Sequence, residues 1–461
     1  MKKILSTAIA LGLVAGVASS ASAAFDKFET TGYFYVQGIK MYQGDAAGVD
    51  LWTASEKDNN GDWWRQKLRL NSTLTINDKS KIVAEIRQSD DHIWGNQAGG
   101  DAANALFTDG MSQVRIDKLY AEYESPIGRL RLGRIPWATY GTDFVNSESR
   151  NNGFVFWPNF VPKPFSLILV HSKLTEEDGT GNVASRQGAN HEDSEYTDIR
   201  FEYKTDTINA GTRLGLTDND TTETVSIETW RWGGFGDLKF GNFFVKGEWD
   251  YLFGDVESDA STGNSNYDTD AWAYMLSGGG KFGNLDAELM YFHLDGEDGA
   301  NDREQNAYGS VGNDFEPLMI LTGSLAGLLN QDLGGGEHAD SLTSVGVTAG
   351  ATPTFDGGAG VDAIVARFGF AVNDKLALSS AIGYAWADEE NNLNNRANYD
   401  DEYGWEIDLG LEYKLLDNLT YSANFGYWDA GDFFDRNSTL TTDNMVEDNV
   451  YILTHKLNMA F

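Results

Sequence analysis

Apolar and polar residues alternate along most of this chain, in runs of about ten residues. From Trp405 to Tyr413, every odd position carries an apolar or aromatic side chain, and every even position carries a polar residue or glycine. This period of two is typical of a β-strand with one apolar face. A soluble β-sandwich would show the same alternation, so the spacing between the runs has to separate the two folds.

The connections between the runs alternate between short and long. The short ones contain Asn, Asp, Pro or Gly, which favour tight hairpin turns, and they lie at 76–79, 125–128, 204–207, 283–284, 373–375 and 416–418. The long polar ones lie at 43–62, 90–112, 175–194, 254–268, 388–402 and 430–448. Short turns at one edge and long loops at the other are the layout of outer-membrane barrels. We therefore expect an all-β fold, a transmembrane up-and-down antiparallel β-barrel.

The pattern predicts sixteen to eighteen strands. Eighteen runs can be counted, so eighteen is favoured, and this even number places both termini on the periplasmic side. Sixteen follows if the segments 150–157 and 223–234 are not strands. The predicted strands are 28–42, 63–76, 80–89, 113–124, 129–135, 150–157, 164–174, 195–204, 208–217, 223–234, 238–253, 269–282, 285–295, 361–372, 376–387, 403–414, 419–429 and 449–461.

The first residues have the features of an export signal. Lys2 and Lys3 precede a short apolar stretch, and Ala21-Ser22-Ala23 is a small-residue cleavage site. We expect residues 1–23 to be a signal peptide and residues 24–461 to be one barrel domain, with a long loop insertion at 296–360.

Composition and charge exclude several classes of protein. The formal net charge is −36, which argues against nucleic acid as a partner. No segment after the signal is long and apolar enough to predict a transmembrane helix. The mean hydropathy of −0.39 agrees with a barrel, because only alternate strand residues face lipid. Aromatic residues make up 13% of the chain, which suits aromatic girdles at the two membrane interfaces.

The C-terminus adds a more specific signal. Tyr451, Leu453, Leu457 and Met459 alternate towards a terminal Phe461, with His455 interrupting the series. This ending resembles the C-terminal signature of Gram-negative outer-membrane porins, and the segment 128–134 followed by Tyr140-Gly141 looks like strand-to-loop segments common in them. The resemblance implies a channel in the outer membrane for passive diffusion of small hydrophilic solutes or ions, without a cofactor. It also implies contact with lipid and lipopolysaccharide, and a homotrimer like that of many porins.

If the apolar series faces lipid, the other series faces the pore. This alternation of outward and inward residues, or parity, predicts a basic wall on strands two to five. The wall is formed by Arg65, Lys67, Arg69, Arg87, Lys118, Arg129 and Arg131, with Glu85 among them. It also predicts an acidic sector further along the chain, formed by Glu248, Asp250, Asp286 and Glu288. The two sectors would face each other and set up a transverse field that orients polar solutes. The alternative is that these charges pair with partners on neighbouring strands.

A barrel of this width needs a loop to narrow it. The first candidate is the loop 136–149, with Trp137, Tyr140, Asp143 and Glu148. The second is the insertion 296–360, in which Leu318, Leu321, Leu325 and Leu328 would share one face of a short helix in the barrel mouth. The alternative is that this insertion is a surface loop packed on its neighbours. Small residues on the inner face of 376–387 would leave room for a folded-in loop.

Catalytic and metal-binding signals in the sequence are weak. The six histidines are scattered without metal-ligand spacing, and no motif for nucleotide, haem or acyl-transfer chemistry occurs. We expect no enzyme and no metal site. The alternative to an open porin is a plugged barrel, or a scaffold or adhesive barrel such as the sheath of a multiprotein complex.

Overall fold

The computed structural model describes residues 25–43, 60–88, 92–93, 114–136, 140–144, 150–175, 194–222, 225–258, 267–296, 304–308, 312, 314–322, 360–389, 401–432 and 449–461. The predicted signal peptide and most of the long loops lie outside these residues. Within them, no helix is long and apolar enough to cross a membrane.

The described residues form a closed barrel of eighteen long strands, which confirms the favoured count. The strands are β1 Lys27–Gln43, β2 Asn60–Asn77, β3 Ser80–Gln88, β4 Val114–Ser125, β5 Gly128–Pro136, β6 Arg150–Pro158, β7 Phe165–Thr175, β8 Ser194–Lys204, β9 Ile208–Thr222, β10 Val225–Phe240, β11 Phe243–Ser258, β12 Tyr267–Phe282, β13 Leu285–Leu294, β14 Val361–Ala371, β15 Leu376–Trp386, β16 Glu402–Leu416, β17 Leu419–Ala430 and β18 Val450–Ala460. Each strand pairs antiparallel with the next. Two further strands of two residues, His92–Ile93 and Glu304–Gln305, pair with β2 and β12.

The barrel closes where the first strand meets the last. β1 pairs with β18 from Tyr33 opposite Ala460 to Gln43 opposite Val450. The terminal residue extends this ladder, because Gly32 N–H donates to Phe461 O at 2.8 Å and Phe461 N–H donates to Gly32 O at 3.0 Å. Closure removes the two free edges that an open sheet of this size would expose.

The short turns lie at one end of the barrel, as the sequence predicted. Several of them are held by a polar side chain that accepts hydrogen bonds from the next two or three residues. Asn77 Oδ1 accepts from Lys79 N–H at 2.9 Å, and Asn373 Oδ1 accepts from Leu376 N–H at 3.0 Å. In the two-residue turns, Gly241 and Gly283 have φ of 63° and 66°, which residues with a side chain rarely adopt.

One predicted strand boundary was wrong. The sequence pattern ended the tenth strand at 234 and began the next at 238, whereas β10 runs on to Phe240 and β11 begins at Phe243. The glycines at this position allow close packing within the continuous strand. A Cβ at Gly233 would collide with the carboxylate of Asp250, and one at Gly234 would lie 2.7 Å from the indole nitrogen of Trp249.

The outer face of the barrel is apolar and exposed. Leu132, Leu276 and Leu289 are 57–60% exposed, as expected for side chains that lipid covers. Aromatic side chains gather near both ends of the strands, for example the stacked pair Tyr251 and Trp272, with ring centroids 4.3 Å apart, and the pair Phe240 and Phe243 at a short turn. These belts mark the two membrane interfaces.

Candidate functional site in the barrel lumen

All the predicted basic residues lie on the inner face of β2 to β5. They are Arg65, Lys67, Arg69, Arg87, Lys118, Arg129 and Arg131, and their neighbours in sequence such as Trp64 and Leu132 are exposed outside. Glu85 lies among them with its side chain 2% exposed, within 3.5 Å of Arg69, 3.2 Å of Lys118 and 3.8 Å of Arg150. Part of the positive charge of the basic wall is therefore neutralised by an acid on a neighbouring strand. Such pairing is the alternative that the sequence analysis left open.

A β-bulge on β4 brings in an acid that the alternation did not predict. The register shifts so that Glu85 lies opposite Lys118 while Ile86 lies opposite Ile116, and Asp117 is the extra residue. Both Asp117 and Lys118 consequently point inward. Asp117 Oδ2 lies 2.6 Å from Arg87 Nε, so this acid neutralises one cation of the basic wall.

The opposite side of the lumen is not purely acidic, contrary to the prediction, because it also carries basic residues. Three inward arginines, Arg200, Arg213 and Arg231, lie on β8 to β10, where no base was predicted. Asp250 is 1% exposed, and its carboxylate lies 3.1 Å from Arg213 and 2.8 Å from Arg231. The parity of the exposed Ile199 and Phe201 would have placed Arg200 inside, so the sequence carried a signal for it.

Residues 140–144, the described part of the loop after β5, fold into the barrel. Tyr140 packs on the guanidinium of Arg213 at 4.8 Å and on Arg200 at 5.6 Å. Thr142 donates to Glu248 Oε2 through its backbone N–H at 2.5 Å and also through its hydroxyl. Glu248 is thus bonded to the loop and does not face the basic wall across open water. Trp137 and Glu148, the other candidates in this loop, lie outside the described residues.

Burial affects two ionisable groups of this loop. It raises the pKa of the Tyr140 phenol well above its usual value, so this hydroxyl stays protonated. Partial burial also raises the pKa of Asp143, and the nearby Asp314 carboxylate acts in the same direction. Asp143 is exposed and is the charged residue among the described residues 140–144.

A second segment, residues 314–322 of the insertion, also folds into the barrel. The backbone N–H of Met319 donates to Asp408 at 3.0 Å, and those of Ile320 and Leu321 donate to Glu406 at 2.7 and 2.8 Å. Residues 318–322 are an irregular turn and not part of a helix, because these amides bond to side chains of the wall. Residues 323–329 of the expected helix lie outside the described residues.

The inserted segment packs on small residues of β15. Leu318 is 2% exposed, and a Cβ at Gly383 would lie 2.6 Å from its Cδ1. Ala381 and Ala385 line the same inner face and are buried. The small inner side chains of 376–387 thus make room for a folded-in loop.

Together the two inserted segments fill one side of the lumen with an apolar core. Phe144 packs on Phe292 and Phe315, with centroids 6.1 and 5.2 Å away. The remaining members of this core are Met41, Ala271, Ala273, Met275, Met290, Leu294, Tyr308, Leu318, Ile320, Leu321, Val361, Ala363, Val365, Ala381, Ala385, Ala387, Tyr403, Trp428, Val450 and Ile452. They come mainly from β12 to β18, so this apolar core lies on that side of the lumen.

Below the inserted segment, towards the short turns, the lumen widens into a cavity of about 420 Å³. The predicted acids Asp286 and Glu288 line it, together with Glu316 and Arg367. Glu288 lies 3.5 Å from Arg367, and Asp286 lies 3.5 Å from Lys281. Each of these acids therefore has a cation beside it.

One cluster of possible metal ligands lies outside the lumen, near the long-loop end of β13. His293, Asp295 and Asp388 lie together there, although their spacing in sequence suggested no site. Both ring nitrogens of His293 are already bonded to carboxylates, Nδ1 to Asp362 at 3.0 Å and Nε2 to Asp295 at 2.8 Å. The cluster ties the ends of β13 and β14 to the segments that follow β13 and β15.

Comparisons with known proteins agree with this fold. The model of the Gram-negative porin family matches residues 6–313. Among solved structures, the chain is similar to Pseudomonas aeruginosa OpdO (TM-score 0.50, 11% identity, 95% of this chain and 98% of that one). It is also similar to OccK8 (OprE) of that organism (TM-score 0.50, 11% identity, 94% and 98%) and to its OccD3 (OpdP) (TM-score 0.50, 10% identity, 95% and 93%).

At these identities the structural likeness shows the fold alone. No curated protein matches the chain. The family match, by contrast, covers well over half of the sequence and ends within the insertion 296–360. On that match the chain belongs to the Gram-negative porin family, and it is an outer-membrane channel for passive diffusion, not an enzyme.

Proposed function

We propose that this porin passes small hydrophilic solutes along one side of its lumen, beside the basic wall, and that it prefers anions. The observation that carries the proposal is the apolar core around 314–322 and Phe144, which occupies the other side. Water and polar solutes avoid such a filled apolar region, and they are drawn to the charged side.

The anion preference rests on the balance of charge along β2 to β6. Glu85, Asp117 and Glu122 are the buried acids there, and each contacts at least two cations. The inward cations outnumber these acids, so the wall keeps a positive potential, which attracts anions into a narrow aqueous path.

The test is single-channel conductance and reversal potential in a planar bilayer under a potassium chloride gradient. We expect stepwise conductance and a reversal potential of the sign given by chloride preference. The triple variant R65E/K67E/R69E should shift the reversal potential towards cations, because it reverses the sign of the wall. R367E is the matched control, because Arg367 lies in the opposite sector beside Glu288.

Two results would count against the proposal. An unchanged selectivity in the triple variant, with barrel folding confirmed by heat-modifiable electrophoretic mobility, would remove these residues from the solute path. The absence of any conductance from folded wild-type protein would favour the plugged, scaffold or adhesive barrel, whose lumen the same inserted segments would close.

We also propose lipopolysaccharide as a neighbour of the long-loop end, a homotrimer as the assembly, and cleavage of residues 1–23 on export. The resemblance to porins supports the first two proposals, and the charged stretch and small-residue site at the N-terminus support the third. Native mass spectrometry of protein extracted from outer membranes tests all three, because bound lipopolysaccharide, subunit number and mature mass are read from one spectrum.

A further inference from the structure

Two arginines share one indole near the short-turn end of the basic wall. Trp157 lies on β6 directly opposite Arg129 of β5, and Arg131 follows two residues later on the same face. The guanidinium carbons of Arg129 and Arg131 lie 4.1 and 4.9 Å from the centroid of the Trp157 ring, within the range of cation–π contact. Both guanidiniums are therefore held against the wall.

The two arginines differ in their counter-charges. Arg131 Nε lies 2.7 Å from Glu122, which also contacts Lys81 at 2.9 Å. Arg129 has no carboxylate within 4.0 Å in the part of the chain that the structure describes, although Glu124 is its register partner on β4. Its buried Nε has no hydrogen-bond acceptor there either.

The floor beneath these arginines is apolar. Trp157 packs against a buried cluster on the inner wall that comprises Tyr120, Ile135, Val155, Ile168 and Val170. Arg131 also lies over the Tyr120 ring at 5.4 Å. An apolar floor keeps water away from one side of each guanidinium, and a charge with fewer water contacts attracts an opposite charge more strongly.

We infer that Arg129, stacked on Trp157 beside Arg131, is an oxyanion-binding subsite for carboxylates or phosphates at the periplasmic end of the solute path. A guanidinium recognises such groups because its N–H donors form a planar fork that matches two oxygens. Stacking on the indole fixes that plane, and because Nε is buried, the edge formed by the two terminal nitrogens would receive the anion. The subsite rests on the proposed function, since solutes must travel along the basic wall to reach it.

The first experiment uses inorganic phosphate and acetate as probes of the conducting channel. Each probe is added to the side of the short turns while chloride current is recorded. In the wild type, we expect the current to fall saturably with probe concentration. R129Q should raise the half-blocking concentration at least fivefold, and R129K should lie between the two, because lysine keeps the charge and loses the fork.

The matched control is R367Q, which removes an inward arginine from the other sector and should leave the block unchanged. An equal change in R129Q and R367Q would show general electrostatics and overturn the subsite, as would an unchanged block in R129Q. Block by phosphate alone or by acetate alone would assign the subsite to that class of oxyanion.

A second measurement does not depend on conduction. Line broadening of the phosphorus resonance of inorganic phosphate is followed as detergent-solubilised, folded protein is added. Wild type and R367Q should broaden the line equally, and R129Q should lose most of the effect. Broadening without any chloride current would contradict the proposed function and retain the subsite, whereas equal broadening by wild type and R129Q would overturn the subsite whether or not the channel conducts.

Discussion

Individual carboxylates of the barrel wall hold the inserted segments in place. Glu248 accepts two hydrogen bonds from Thr142, and Gly141 lies so close to it that a Cβ there would be 2.8 Å from Glu248 Oε2. Gly141 also has a φ of 69°, so both its backbone and its surroundings favour glycine. The loop tip is therefore fitted to one acid of the opposite wall.

Replacing Glu248 by alanine should release this tip. Hydrogen bonds to a charged group contribute about 1.5–3 kcal/mol each, and the variant removes both. We expect a larger single-channel conductance with more current noise, measured in planar bilayers. E288A is the control, since Glu288 is also an inward acid and contacts Arg367 rather than the loop. A conductance unchanged in E248A would mean that residues 140–144 do not narrow the path.

Individual residues also show which inward side chains the sequence pattern predicted and which it did not. Parity alone placed Arg69 and Glu248 on the inner face, because alternate residues of a strand must face opposite sides. Parity could not place Asp117, since a bulge inserts one residue and leaves no mark in composition. It also could not reveal that Glu248 bonds to Thr142, because the partner comes from a loop with no periodic pattern.

At the scale of elements, the segment 314–322 lies inside the barrel and is bonded to its wall. Its amides bond to Glu406 and Asp408, and its leucines cover them, so both carboxylates are buried beneath apolar side chains. Sequence analysis predicted a folded-in segment here from the small residues of β15. It predicted a helix wrongly for 318–322, because leucine spacing cannot distinguish a helical face from a turn packed on a barrel wall.

Enlarging Gly383 should displace this segment. A valine there would overlap Leu318, and overpacking of a filled core costs about 1–3 kcal/mol. We expect G383V to increase conductance and to lower the midpoint of thermal unfolding. The matched control is G369V on the neighbouring strand β14, where the nearest atom to a new Cβ is 3.8 Å away. Equal behaviour of the two variants would show that Leu318 does not depend on the space at Gly383.

At the scale of the molecule, closure of the eighteen-stranded barrel depends on one seam, the pairing of β1 with β18. Strand number and most turn positions followed from the sequence, because most of the short turns carry Asn, Asp, Pro or Gly. The division of the lumen into an apolar side and a charged side did not follow from the sequence, because it arises from contacts between residues far apart in the chain. The insertion 296–360 could be recognised as unusually long, and the small residues of β15 marked room for a loop, but no local pattern identified 314–322 as the segment that fills it.

Deleting Phe461 should weaken the seam between β1 and β18. The deletion removes two backbone hydrogen bonds to Gly32, each contributing about 0.5–1.5 kcal/mol, and the aromatic ring that lies over that glycine. We expect less folded barrel in the outer membrane and a lower temperature of heat-modified mobility. F461Y should behave as the wild type, because it keeps both the backbone and an aromatic ring. Normal assembly of the deletion variant would show that the ladder ending at Ala460 is sufficient.

The same seam places the first barrel strand beside the last residue of the chain. Phe461 is bonded to Gly32, and the described chain begins seven residues earlier at Phe25, so the gap along β1 is roughly 23 Å. A linker of about seven or more extended residues would span it. The barrel is therefore suited to circular permutation, in which new ends are opened in one of the long loops and a sensor or affinity domain is displayed at the cell surface without breaking any strand pairing.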